Sequence, residues 1–144
     1  MIVYCRGDEM QENVFFFLKA KNEVKYLYDN ISIKDGLELM HKHKYTAMPI
    51  INKEGFYVGT ISEGDFLWYL VDHPTITTEQ MEHMEIKDII RSDFTPPVKM
   101  DVSIPDLFEQ SLKQNFVPVV DDRHIFIGIV TRQSIIKYLM HHPE

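Results

Sequence analysis

The sequence predicts a mixed α/β (α+β) fold built from two tandem repeats, each running strand–helix–strand–strand–helix. Three observations predict it. Tyr45-Thr46-Ala47-Met48-Pro49-Ile50-Ile51 returns as Asn115-Phe116-Val117-Pro118-Val119-Val120. Pro49 to Pro118, Gly59 to Gly128, Ser62 to Thr131 and Leu70 to Leu139 are all separated by the same interval. Ser-x-x-Asp capping signatures stand at Ser32, Ser62 and Ser103, each ahead of helically spaced apolar residues. A register held over that distance means a duplicated folding unit, whose sites come in equivalent pairs.

The elements follow in order. Residues 9–20 read as a short amphipathic helix. Repeat one spans about 14–74. Val24-Lys25-Tyr26-Leu27-Tyr28 alternates and is β-rich, which predicts a strand. Ser32 opens a helix with Ile33, Leu37 and Met40 on one face. Residues 46–51 and 56–61 are short strands joined at Asn52-Lys53-Glu54-Gly55. Ser62 opens a second helix with an apolar stripe of Phe66, Leu67 and Leu70, which His73-Pro74 ends. Residues 75–85 are polar and read as the linker.

Repeat two spans about 86–142 in the same order. Ile86, Ile89 and Ile90 make a short helix matching Val14, Phe17 and Leu18. Val98-Lys99-Met100 is a strand, and Ser103 opens the next helix. Residues 116–120 and 125–130 form the hairpin. Thr131 caps a last helix whose inner face is Ile135, Ile136, Leu139 and Met140. The interval from Ser103 to Pro118 is shorter than that from Ser32 to Pro49, so the helix or its exit loop is trimmed in repeat two. One such unit is too small to cover both faces of its sheet, so the whole chain, 1–144, reads as a single module of two units packed sheet to sheet.

Composition narrows the function. A chain that is 44% hydrophobic and 12% aromatic has the makings of a folded domain. A net charge of −7 with no long basic cluster argues against nucleic-acid binding, while leaving room for a small anion in a locally positive pocket. Cys5 is the only cysteine, so no intrachain disulfide forms and a cytoplasmic location is expected. The longest apolar run, Val14 to Leu18, is far below a bilayer span, and Asp8, Glu9 and Glu12 stand where a signal peptide needs basic residues, so no membrane insertion is expected. His41 and His43 diverge on a helix, and no Cys-x-x-Cys, phosphate-loop or Gly-x-Gly-x-x-Gly motif occurs. No metal, catalytic cofactor or enzymatic activity is expected.

The ordered set of motifs, occurring twice, resembles a pair of CBS motifs, the repeat named after the regulatory region of cystathionine β-synthase. Ser32-Ile33-x-x-Gly36-Leu37-x-Leu39-Met40, Tyr45-x-x-Met48-Pro49-Ile50-Ile51 and Gly59-x-Ile61-Ser62-x-x-Asp65-Phe66-Leu67 carry it in repeat one. Val117-Pro118-Val119-Val120-Asp121 and Gly128-Ile129-Val130-Thr131-x-x-Ser134 carry it in repeat two. The resemblance implies two small sheets about a pseudo-twofold axis, two ligand clefts, and pairing of two chains into a flat disc. It implies an adenosine-containing ligand such as AMP, ATP, S-adenosylmethionine or cyclic di-AMP, and a separate regulated enzyme or transporter. Tyr45-Thr46-Ala47-Met48-Pro49, the trimmed repeat two, Asn115-Phe116-Val117 and Gly128-Ile129-x-Thr131-Arg132 resemble the stand-alone cyclic-di-AMP-binding CBS proteins of Gram-positive bacteria. Ser62-x-x-Asp65 departs from that group and points instead toward AMP, ADP or ATP.

The expected nucleotide-binding residues are Lys25, Tyr45, Thr46, Ala47, Pro49, Ser62, Asp65, Val117, Thr131 and Arg132. Asp65 is either a cap or the acceptor for a ribose 2′,3′-diol; a 3′–5′ cyclic dinucleotide offers it only a 2′-hydroxyl. Arg132 offers a planar cationic fork to a phosphate, against the plain alternative of an exposed arginine with no fixed partner. Tyr45 stacks on adenine or packs half-buried. Ala47 leaves room for a base. Lys25 meets a phosphate or is solvated. Pro49 and Pro118 are expected at a strand edge, where they block further pairing. Phe15, Phe16 and Phe17 read as core and dimer packing, and Met81 and Met84 as filler or a lid. The competing reading is an interaction module whose clefts are filled by aromatic side chains, Trp68 among them.

Overall fold

Short extended segments separated by strong caps give this chain two small sheets, each with its own helices. The computed structural model describes residues 13–91 and 95–141. Its contacts divide into two units. One contains residues 25–96. The other joins 1–24 to 97–144.

In the unit of residues 25–96, β2 (Leu27–Tyr28), β3 (Ala47–Ile51) and β4 (Tyr57–Ser62) form a sheet in that order. β2 runs parallel to β3, with Leu27 opposite Ile50. β3 and β4 are an antiparallel hairpin pairing Ala47 with Ser62 and Pro49 with Thr60. Asn52 Oδ1 closes its turn by accepting from the N–H groups of Glu54 and Phe56, and Gly55 takes the positive φ of 93°. α2 (Ile33–His43) and α3 (Glu63–Asp72) carry the core residues Ile33, Met40 and Phe66. These pack with Met48, Ile50, Ile61 and Ile86.

The segment that puts Ile86 there begins repeat two in the sequence. Backbone bonds fix it: Ile86 N–H to Ile31 C=O and Lys87 N–H to Asp29 C=O, both 3.0 Å, with an antiparallel bridge of Arg91 to Thr60. A 3-10 turn at Ile86–Asp88 stands where a short helix is predicted. The linker 75–85 also contains a helix, α4 (Thr78–Glu82), opened by a reciprocal Thr77/Gln80 capping box. Met81 and Met84 pack against the core, as filler does.

In the other unit, β1 (Lys19–Ala20), β7 (Phe126–Thr131), β6 (Phe116–Val120) and β5 (Val98–Lys99) form a sheet in that spatial order. α5 (Ile104–Ser111) and α6 (Arg132–His141) accompany it, and Val14, Phe17, Leu107, Val117, Val119, Val130 and Ile135 make the core. Residues 14–20 thus pack with the sheet of repeat two. Sequence repeats and spatial units are offset by one segment, and that offset is reciprocal.

Three expectations are corrected. The helix predicted over 9–20 is only α1, Val14–Phe17, capped by Asn13; Leu18 turns extended so that Lys19 and Ala20 can pair with Ile129 and Gly128, and residues 9–12 lie outside the described residues. The strand predicted at 24–28 is confined to Leu27–Tyr28, behind a 3-10 turn at Lys21–Glu23. Pro49 and Pro118 stand on middle strands, not edges. Parallel pairing begins one residue later, at Ile50 and Val119, so the missing N–H costs no ladder bond. The trimming of repeat two falls in the helix: α2 has 11 residues and α5 has 8.

Candidate functional site

The hairpin and the following helix meet in the same way in both units. Glu63 N–H donates to Thr46 C=O at 3.0 Å, and Arg132 N–H donates to Asn115 C=O at 2.9 Å. Ala47 faces Ser62 as Phe116 faces Thr131. A β-strand start is therefore clamped beside the first turn of a helix, twice.

In the first unit this clamp gathers Tyr45, Thr46, Ala47, Ser62 and Asp65. Tyr45 and Thr46 are exposed, and the Tyr45 ring stacks on His43 at 5.9 Å between centroids. Ala47 is half-buried, and Pro49, two residues further along β3, is buried. Lys25 is exposed two residues ahead of β2, whose parallel register carries that end of the strand toward the start of β3. Ser62 and Asp65 form the complete capping box: Ser62 N–H donates to Asp65 Oδ2 at 2.8 Å, and Asp65 N–H to Ser62 Oγ at 3.3 Å. Ser62 Oγ also donates to Oδ2 at 3.1 Å. The other oxygen, Oδ1, accepts from Arg91 Nε at 2.9 Å, and the Asp65 side chain is only 6% exposed. Sequence reasoning missed Arg91. It lies far from Asp65 along the chain and belongs to no local motif, so no sequence signal marks it; in the structure it bridges Thr60, the position equivalent to Ile129, which faces Lys19.

The second unit holds Val117, Thr131 and Arg132. Val117 is fully buried in the core, so only its backbone can meet a ligand. Thr131 Oγ1 accepts from Ser134 N–H at 3.1 Å and caps α6. Arg132 is half-buried and has partners: Nε donates to Ser111 C=O at 2.8 Å and Nη2 to Leu112 C=O at 3.5 Å. It thereby closes the end of the shortened α5.

Along α3 an open groove of about 600 Å³ is lined by Asp65, Trp68, Tyr69, Met84 and Arg91 among others, with Trp68 62% exposed. Glu38 and His41 stand three apart on α2, but among the described residues no three His, Cys, Asp or Glu side chains gather to hold a metal ion. None of the described helices is long and apolar enough to cross a membrane.

Comparison with known proteins agrees with this architecture. The CBS domain pattern matches residues 18–72 and 86–141. An uncharacterized protein of Methanocaldococcus jannaschii is 32% identical over 142 residues, covering 79% of this chain and 84% of the relative. Cyclic di-AMP receptor B of Bacillus subtilis is 22% identical over 142 residues, covering 98% and 96%. A CBS domain protein of Streptococcus pneumoniae superposes with a TM-score of 0.84 at 28% identity, covering 91% of this chain and 88% of the other. The fold is shared by Listeria monocytogenes CbpB in complex with c-di-AMP (TM-score 0.77, 24% identity, 87% and 92% covered). It is also shared by CBSX2 in complex with AMP (0.74, 22%, 92% and 98%). The chain belongs to the CBS-domain family and carries two CBS domains in tandem.

Proposed function

We propose that this chain is a cytoplasmic regulatory module that binds an adenosine-containing nucleotide and acts through a separate enzyme or transporter rather than by catalysis. The observation that carries this is the twice-built clamp of Thr46 to Glu63 and Asn115 to Arg132, which holds an exposed strand start beside a helix N-terminus. The strand backbone can read an adenine edge, and the helix start favours a phosphate. Tyr45 supplies the stacking face and Ala47, two residues ahead of Pro49, the space for a base. Lys25 and Arg132 supply positive charge, Ser62 and Thr131 hydroxyls, and Val117 its backbone. Binding regulates only if the ligand prefers one of two states of the module, and pairing of two chains gives it such states.

Cyclic di-AMP is the ligand best supported. The carboxylate that would read a free 2′,3′-diol is nearly buried and already engaged through both oxygens. Ser134 replaces it in the second unit. The similarity to cyclic di-AMP receptor B over almost the whole chain supports the same choice. AMP, ADP or ATP is the second reading, favoured by the presence of Asp65 itself.

Thermal unfolding of the purified protein with AMP, ADP, ATP, S-adenosylmethionine and cyclic di-AMP is the test. A ligand at 100 times its dissociation constant adds about 2.7 kcal/mol of stability. The expected result is a rise with cyclic di-AMP. A rise with AMP or ATP alone supports the second reading, and no rise with any of them overturns the proposal in favour of a ligand-free interaction module.

A further inference from the structure

We infer that Arg91 is a specificity-determining residue, which rests on the nucleotide reading above: its ion pair with Asp65 closes the first unit to the ribose 2′,3′-diol of linear nucleotides.

A diol is read by two hydrogen bonds to one carboxylate. Asp65 has little left to offer. Oδ2 already accepts from Ser62 N–H and Ser62 Oγ, and Oδ1 accepts from Arg91 Nε at 2.9 Å. Oδ1 keeps one acceptor site, so a diol, which needs two, must displace the charge-assisted bond from Arg91 to make its second hydrogen bond, and that exchange is unfavourable because the guanidinium bond is the stronger. Nor is Arg91 on a loose tether. Its backbone bridges the buried Thr60, and the segment behind it is anchored by Ile86 in the core and by two backbone bonds, to Asp29 and Ile31.

The second unit provides an internal contrast. Lys19 faces Ile129 where Arg91 faces Thr60, and Ser134 stands where Asp65 stands. A neutral serine cannot form the pair, and it cannot read a diol as a carboxylate does. Its Oγ donates to Thr131 C=O at 2.8 Å. One unit has therefore lost the diol reader by substitution, and the other holds it engaged. A 3′–5′ cyclic dinucleotide has no free 2′,3′-diol and escapes both restrictions.

The test is calorimetric titration of the full chain and Arg91→Ala with AMP, 2′,3′-dideoxy-AMP and cyclic di-AMP. Releasing Oδ1 should strengthen AMP binding about tenfold, the scale of one hydrogen bond to a charged group. Dideoxy-AMP, which has neither ribose hydroxyl, should gain nothing, and cyclic di-AMP, which offers Asp65 only a 2′-hydroxyl, should gain less than AMP and stay within about threefold. Arg91→Met, which keeps an unbranched apolar stem but no donor, should move AMP in the same direction and serves if the alanine protein does not fold. Cyclic di-AMP binding with no AMP gain overturns the inference alone. An equal gain for AMP and dideoxy-AMP overturns it as well, since the variant has then merely opened the surface. No binding of any adenine nucleotide to any of the proteins overturns both this inference and the proposed function.

Discussion

Tyr57 buries its phenol under the hairpin, with Oη 2.8 Å from Thr60 Oγ1 and donating to Thr95 C=O at 2.6 Å. Burial pushes its pKa well above the ordinary 10.0, because the phenolate would lose its hydration. Between the unfolded and folded values the native state holds a proton that the unfolded chain has released. This contribution is therefore complete below about pH 10 and is lost as pH rises further. Tyr57→Phe strands the buried Thr95 C=O and takes the acceptor away from the Thr60 hydroxyl, and should cost about 1–2 kcal/mol at neutral pH in urea titration. The deficit should shrink in titrations above about pH 10, and a constant deficit would mean that the phenol does not titrate with unfolding. Arg132→Ala removes the donors at the end of α5 and should lower stability by about 1 kcal/mol. Under the proposed function it also weakens cyclic di-AMP about tenfold while sparing adenosine, measured by titration. Equal loss for both ligands would leave Arg132 as a cap alone. At this scale the Ser62/Asp65 box was legible because its partners are three residues apart. The plain alternative for Arg132, no fixed partner, failed because its carbonyl partners sit at the end of α5, well upstream in the chain. Arg91 was illegible for the same reason.

Short elements depend on backbone proximity more than on propensity. Gly128 shows this: it pairs with Ala20 at a φ of +157°, and an added Cβ would meet Lys19 C=O and come within 2.9 Å of Leu18 Cδ1. Gly128→Ala should therefore cost about 2–4 kcal/mol and release β1 from β7. Hydrogen exchange would report it as faster exchange at Lys19 and Ala20, with the hairpin of β6 and β7 still protected; unchanged exchange would mean the sheet absorbs the methyl. The hairpins and helix starts were legible because turn and cap chemistry is local. The short α1 was not. Its aromatic run satisfies a helical stripe, but pairing with β7 imposes an extended backbone from Leu18 onward. α4 carried a readable Thr-x-x-Gln signal inside a segment whose polarity reads as linker.

Across the whole chain, exposed apolar residues recur at equivalent positions on α3 and α6. Leu67 and Val71 match Ile136 and Met140, and all four are exposed, which corrects the inner face expected of the last helix: of Ile135, Ile136, Leu139 and Met140 only Ile135 is buried. Apolar groups left at the surface in this repeated pattern suit association with a second copy. The protein should sediment as a homodimer, and Val71→Glu combined with Met140→Glu should give a folded monomer with unchanged far-ultraviolet dichroism. A monomeric wild-type protein would remove dimerisation from the proposed mechanism.

The sequence by itself determined the duplication, the order of strands and helices, and the family. Each of these is written in local chemistry: caps within three residues, turns within four, and a register repeated at one fixed interval. Only the tertiary structure decided that the opening segment of each repeat packs with the other repeat's sheet. Only it decided that Pro49 sits on a middle strand and that Asp65 is held by Arg91. Those outcomes depend on which distant backbone edge is left unpaired and on which charge lies nearest in space, and no spacing along the chain encodes either.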